Sequence, residues 1–152
     1  MTVRATVVRP ATRADATAWL EMRRALWPGA DEDHAREIEQ FFTVGLRNLL
    51  AVLVAVDASN HPVGVAELSI RNCAEGCDSD RVAYLEGWYV VPEARRQGVG
   101  RALVEAAEAW GRAQDCREFA SDTQIDNAVS AAAHHALGFT ETDRIRTFRK
   151  AL

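Results

Sequence analysis

Apolar and polar positions along the chain change their period several times, and each change marks an element. Val3 to Val8 alternates Val with Arg and Thr and predicts a first strand, which Pro10 breaks. Thr12, three residues before Asp15, predicts a helix N-cap, and Trp19, Met22 and Leu26 recur at helical spacing until Trp27-Pro28-Gly29 stops the helix. A second helix starts in the acidic patch Asp31-Glu32-Asp33, where negative charge suits a helix N-terminus, and carries the stripe Ile38, Phe41, Phe42, Leu46 and Leu49. Leu50 to Val56 and Val63 to Ile70 read as two strands joined by a turn-rich segment, a hairpin. Val82 to Val91 is an aromatic-rich strand ended by Pro92. Gly98-Val99-Gly100 opens a long helix with the stripe Val99, Leu103, Ala106, Ala107 and Trp110, and Arg117 to Ser121 resumes extended structure. Val129, Ala132, Ala133, Ala136 and Leu137 mark a last long helix stopped by Gly138, and Phe139 to Arg149 predicts a closing strand. The order is β-α-α-β-β-β-α-β-α-β in one α/β domain spanning 1–152, without repeat, linker or low-complexity tract.

Bulk properties narrow the function classes. A chain of 152 residues with 48% apolar and 26% charged side chains suits a globular domain that needs no staple. No apolar run reaches the roughly 20 residues of a membrane helix, and the start lacks the basic-then-apolar layout of a signal peptide, so a cytoplasmic protein with no membrane partner is expected. A net charge of -4 argues against nucleic acid, which requires a clustered basic surface, and leaves acidic sites open. Cys73, Cys77 and Cys116 are odd in number, and one isolated C-x3-C makes a poor zinc site, so reduced thiols and no metal are expected.

The most informative stretch runs from Val90 to Leu103: a strand, a basic glycine-containing turn, and a helix start. Backbone N–H groups at a helix N-terminus are unpaired and partly positive, and glycines without Cβ let a pyrophosphate approach them. Arg95, Arg96 and Arg101 add cationic charge there. On spacing alone, glycines that merely solve a backbone problem remain an equal alternative. A dinucleotide fingerprint would want three glycines near the N-terminus, and a phosphate loop would want Gly-Lys-Ser/Thr; neither is present.

Arg95-x-x-Gly98-x-Gly100 after such a strand resembles the acetyl-CoA signature of the GCN5-related N-acetyltransferase (GNAT) superfamily. Within it, Leu26-Trp27-Pro28-Gly29, Tyr84-Leu85-Glu86-Gly87, Cys116-Arg117-Glu118, Ala120-Ser121-Asp122-Thr123 and Ala136-Leu137-Gly138-Phe139 are similar to aminoglycoside 6′-N-acetyltransferases. The resemblance implies a mixed, mostly antiparallel central sheet flanked by helices, and transfer of the acetyl group of acetyl-CoA to the 6′-amine of aminoglycoside antibiotics, conferring resistance. It also implies a homodimer. Carried over by residue, it implies that the main chain of Trp88, Tyr89 and Val90 binds the pantetheine arm. Arg95 and the turn from Arg96 through Gln97, Gly98, Val99, Gly100 and Arg101 to Ala102 would hold the pyrophosphate, and Asn127 would contact the cofactor. Trp27, Glu86, Asp122 and Asp143 fall where relatives contact the acceptor, and Cys73 stands where relatives carry a tyrosine.

The acids can also be read directly. A polyamine carries several ammonium groups at neutral pH, which carboxylates bind by charge-assisted hydrogen bonds. Glu86 interrupts an apolar strand, where an unpaired charge is costly, so it should have a partner: a substrate, or Arg71, Arg81 or Arg117 on a neighbouring strand. Asp122 ends a strand and Asp143 lies among Glu141, Arg144 and Arg146, so capping and solvated-surface roles stand beside ligand contact. Trp27 sits at a helix end, as a cleft wall or a core residue, whereas Trp19 and Trp110 sit on core stripes. Direct transfer would need Glu86 to accept the amine proton and a donor for the leaving thiolate, and His134 stands where many relatives place a tyrosine. Two rivals share the glycine turn: the same fold acting on another small amine or polyamine, and a non-catalytic acetyl-CoA-binding module.

Overall fold

The structure, a computed structural model, describes residues 6–152. Nine elements follow in chain order: β1 (Val7–Pro10), α1 (Ala16–Leu26), α2 (Asp31–Thr43), β2 (Ala51–Val56), β3 (Pro62–Arg71), β4 (Val82–Val90), α3 (Val99–Ala113), β5 (Glu118–Ser121) and α4 (Ala128–Ala136). Single 3-10 turns at Arg13–Asp15 and Pro92–Ala94 lead into α1 and follow β4. The strands form one sheet in the order β1-β2-β3-β4-β5, antiparallel except for the parallel β4–β5 pair. This is the mixed, mostly antiparallel α/β arrangement that the sequence implied.

Two cores sandwich the sheet. Leu53 and Ala55 of β2 point to α3, where Val99, Leu103, Val104 and Ala107 cover them with Ala66, Leu68 and Leu85. Val52, Val54 and Val56 point the other way, to Trp19 and Met22 of α1 and Ile38 of α2. Burial on both faces is why β2 reads as an unbroken apolar run rather than an alternating one. The entrance to α1 is built as the Thr12 to Asp15 spacing predicted: the Thr12 N–H donates to Asp15 Oδ2 at 2.7 Å, and Arg9 clamps the same carboxylate through two N–H groups.

Three boundaries differ from expectation. The second helix ends at Thr43, so Leu46 and Leu49, expected on its stripe, lie beyond it and form an isolated bridge with each other. The first strand continues through Pro10, which pairs opposite Leu53; β1 is an edge strand, where a residue without an N–H costs no ladder bond. Of the predicted strand, Val3 to Ala5 lie outside the described residues. The closing strand predicted over Phe139 to Arg149 does not form, and residues 138–152 carry neither helix nor strand. Alternation gives a segment a face to bury, but a strand exists only with a ladder partner, and none of the five strands pairs with this segment. Its Ile145 and Phe148 stay 56% and 90% exposed.

Candidate functional site

The sheet opens in the middle of β4. Val82 to Leu85 pair with Glu118 to Ser121 of β5, and beyond Leu85 β4 continues to Val90 with no strand on that side. The ladder to β3 decides which backbone groups face the opening. The Val91 N–H donates to Val63 O, so by antiparallel alternation Tyr89 bonds toward Val65, while Trp88 and Val90 turn their N–H and C=O away from β3 into the gap. Of the three residues whose main chain was expected to bind a ligand there, Trp88 and Val90 turn theirs to the gap, and Tyr89 turns its own to β3. The Val90 carbonyl already accepts from Arg95 Nε at 2.8 Å, and the Arg95 guanidinium lies 5.4 Å from the Tyr89 ring centre.

At the end of the gap the chain bends into α3. Arg96 and Gly98 both adopt left-handed backbone, with φ of 60° and 82°, which turns successive amides to one side. The N–H groups of Arg96, Gln97, Gly98, Val99, Gly100 and Arg101 donate no well-formed hydrogen bond to the described residues; the first to do so is Ala102, to Gly98 O. Arg95, Arg96, Gln97, Gly98 and Arg101 are exposed there. The two glycines differ in purpose. A Cβ on Gly98 would meet nothing within 4 Å, so Gly98 serves the left-handed turn, whereas a Cβ on Gly100 would come within 3.1 Å of the Trp88 indole. That indole holds a buried Nε1 donor without a partner among the described residues. A row of unpartnered amides, a cationic rim and an orphan buried donor fit an anionic, hydrogen-bond-accepting ligand.

His134 stands beside this gap. Its Nδ1 lies 2.7 Å from Ser130 O, its Nε2 lies 2.8 Å from Ser121 Oγ, and its ring meets Trp88 edge-on at 5.4 Å. Ser121 is the last residue of β5 and reaches Leu85 O across the point where the strands part. Asn127 caps α4, its Oδ1 accepting the Ser130 N–H at 3.0 Å.

A β-bulge organises the opposite face. Glu67 pairs with Gly87 and Leu68 with Leu85, which leaves Glu86 as the extra residue. Leu85 and Trp88 therefore both pack on the α3 side, while Glu86 and Gly87 both face α1 and α2. Strict alternation would have put Glu86 on the same side as Trp88. Instead it lines a cleft of about 320 Å³ with Trp27, Asp33, His34, Glu37 and Glu67. Trp27 is 37% exposed and leans over Gly87, whose missing Cβ makes the room, and the Trp27 carbonyl lies 2.8 Å from His34 Nε2.

The cleft acids are already paired with arginines. Arg23, buried, bonds Glu67 through Nε and Nη2 and Glu37 through Nη1, and Trp19 Nε1 donates to Glu67 Oε2 at 3.2 Å. Burial pulls the Arg23 guanidinium down, but its two carboxylates outweigh burial and hold it above its ordinary value. Arg71 grips Glu86 with Nε at 2.9 Å and Nη2 at 2.8 Å, and Ser69 Oγ donates to the same carboxylate. Of the partners foreseen for Glu86, the structure supplies Arg71. The guanidinium also lies 3.5 Å over the Tyr84 ring, and Tyr84 donates its hydroxyl to Asp122 at 2.6 Å. Burial, reinforced by that carboxylate, pushes the Tyr84 phenol well above its usual value, so it remains a donor at physiological pH.

The other expected residues lie apart. Asp122 joins Glu86 only through Tyr84 and Arg71 and does not line the cleft. Asp143 is exposed, accepts from the Arg144 N–H and is also absent from the lining, as is exposed Cys73. Sequence reasoning missed Glu67 and Arg23. The signal was there for Glu67, a charge inside the apolar run Val63 to Ile70, the same anomaly that singled out Glu86.

Comparison with known proteins places this geometry. Residues 16–139 match the family model described as Acetyltransferase (GNAT) family. The chain is 54% identical over 147 residues to the aminoglycoside N(6')-acetyltransferase type 1 of Klebsiella aerogenes, covering 96% of this chain and 97% of that one. It is 43% identical to the enzyme of the same name from Stenotrophomonas maltophilia, covering 100% and 97%. Among solved structures it is similar to AAC(6')-Iy in complex with the bisubstrate analogue CoA-S-monomethyl-acetylneamine, with a TM-score of 0.88, 36% identity, and coverage of 98% and 100%.

Proposed function

The chain belongs to the acetyltransferase (GNAT) family, and from that premise we propose that it transfers the acetyl group of acetyl-CoA to the 6′-amine of aminoglycoside antibiotics. It is an acyltransferase with acetyl-CoA as cosubstrate, and no helix among the described residues is long and apolar enough to cross a membrane. The observation that carries the reading is the run of amides from Arg96 to Arg101 without a partner among the described residues, at the mouth of the β4 gap.

On this reading the bend from Arg96 to Ala102 receives the pyrophosphate, with Arg101 and Arg96 as cations beside it, and the gap-facing groups of Trp88 and Val90 receive the pantetheine arm. The acceptor enters from the opposite face. Trp27 offers its indole to a sugar ring, and the Glu86 carboxylate accepts a proton or hydrogen bond from the reacting amine. Asp122 and Asp143 act farther out, on other ammonium groups. The amine nitrogen attacks the acetyl carbonyl, a carbon–nitrogen bond forms, and the carbon–sulfur bond breaks to release the thiolate. On the same reading His134, which contacts Ser130 O and Ser121 Oγ at the strand split, protonates that thiolate. We also place the enzyme in the cytoplasm, which its three free thiols suit, as a homodimer in which a second copy covers exposed Ile145 and Phe148.

Mass spectrometry of kanamycin incubated with the protein and acetyl-CoA tests the assignment. The expected result is a single added acetyl group that fragmentation places on the 6′ nitrogen. An unmodified antibiotic beside rapid acetylation of a linear polyamine would give the site to a different amine.

A further inference from the structure

We infer that Arg71 is a resident counter-ion of the acceptor cleft, occupying Glu86 until an acceptor ammonium displaces it, so that acceptor binding is an exchange of cations. The inference rests on the reading that a polycationic amine binds at Glu86.

Asp33 and Glu37 also line the cleft and are more exposed, at 59% and 43%, but Glu86 is the part-exposed cleft acid gripped on both oxygens by a single arginine. Glu67 is 2% exposed and locked to buried Arg23 and Trp19, so no acceptor reaches it without breaking the core. Glu86 is held by a different kind of partner. The Arg71 side chain is 40% exposed and that of Glu86 25%, and Arg71 is the last residue of β3, before a loop without regular structure. A pair so placed is part-exposed, so solvent and competing cations reach it. The two N–H groups of Arg71 satisfy Glu86 in the way the N–H groups of a substrate ammonium would.

The displaced guanidinium also has somewhere to go. It already lies 3.5 Å over the Tyr84 ring, a cation–π contact, and the Tyr84 hydroxyl is bonded to Asp122, a second carboxylate whose charge acts on Arg71. Moving from Glu86 toward Asp122 keeps Arg71 on the aromatic face and replaces one anionic partner by another. The arrangement neutralises Glu86 in the free enzyme and makes the acceptor compete for it, which penalises weakly charged amines more than polycations.

The test is a double-mutant cycle read as kanamycin affinity by titration calorimetry, which works even for variants without turnover. Arg71→Met removes the competing charge and keeps the apolar stem. It is expected to tighten kanamycin binding about fivefold, equivalent to about 1 kcal/mol, with acetyl-CoA affinity unchanged. In a Glu86→Gln background the same substitution is expected to gain less than twofold, because no anion is left to compete for. Should Arg71→Met lose its folded circular dichroism spectrum, Arg71→Gln repeats the cycle with a polar side chain over Tyr84. Binding that is unchanged or weaker without Arg71, or a gain that persists without Glu86, overturns the inference while wild-type acetylation of kanamycin leaves the functional reading standing. Wild-type protein that neither binds nor acetylates kanamycin overturns both.

Discussion

Replacing Gly87 by alanine would probe the acceptor wall with a single methyl group. Gly87 is not among the glycines with positive φ, so the backbone accepts alanine, and whatever the substitution costs comes from space. The new Cβ would stand 2.6 Å from Trp27 Cη2 and 3.2 Å from Cζ2. Ordinary carbon contact is about 3.7 Å, so the indole has to retreat by about 1 Å. It can retreat, since Trp27 ends α1 and is 37% exposed, and the stability change should stay below about 1 kcal/mol. What suffers is placement. A wall displaced by about 1 Å should lower kcat/KM for an aminoglycoside by between tenfold and a hundredfold. Steady-state rates followed by the thiol released from acetyl-CoA give that number, and the KM of acetyl-CoA is the internal control, because Gly87 faces the other side of the sheet from Trp88 and should leave it unchanged. A folded Gly87→Ala protein with wild-type kcat/KM for the acceptor would refute the assignment of Trp27 to the acceptor wall.

Two further substitutions test the supports of the site. Glu67→Gln leaves buried Arg23 with Glu37 as its only carboxylate, and should cost about 3 kcal/mol in urea unfolding; a loss below about 1 kcal/mol would mean that the pair contributes little beyond its volume. Arg9, then the Thr12 amide, hold the Asp15 carboxyl below its ordinary value, so the stabilisation is complete above the unfolded pKa of about 4 and is lost as pH falls through the lower folded value. Asp15→Asn should therefore be less stable than wild type by about 1 to 2 kcal/mol at pH 7, with the gap closing below about pH 4. A gap that is constant with pH would assign the effect to packing.

The helices and most strands were legible because their signals are local. The stripe on α3 and the capping pair at Thr12 and Asp15 are written within one or two turns of chain, and the glycine bend announces itself by Gly98 and Gly100. The role of Arg71 was legible only as one of three candidates, since pairing Glu86 with it depends on strand register. The closing strand over Phe139 to Arg149 was predicted from alternation and does not form, for alternation describes one partner of a ladder and says nothing of the other.

What the sequence determined by itself was the order of the first nine elements, the family and the residue types available for binding an anion on one side and a cation on the other. Tertiary structure decided which residues share a site. One extra residue in β4 turned Glu86 from the face of Trp88 to the face of Trp27, and the early end of β5 exposed the backbone of Trp88 and Val90. Both are properties of pairing between strands distant in the chain, where a shift of one residue reverses every side chain beyond it, and no periodicity within a single strand records that shift.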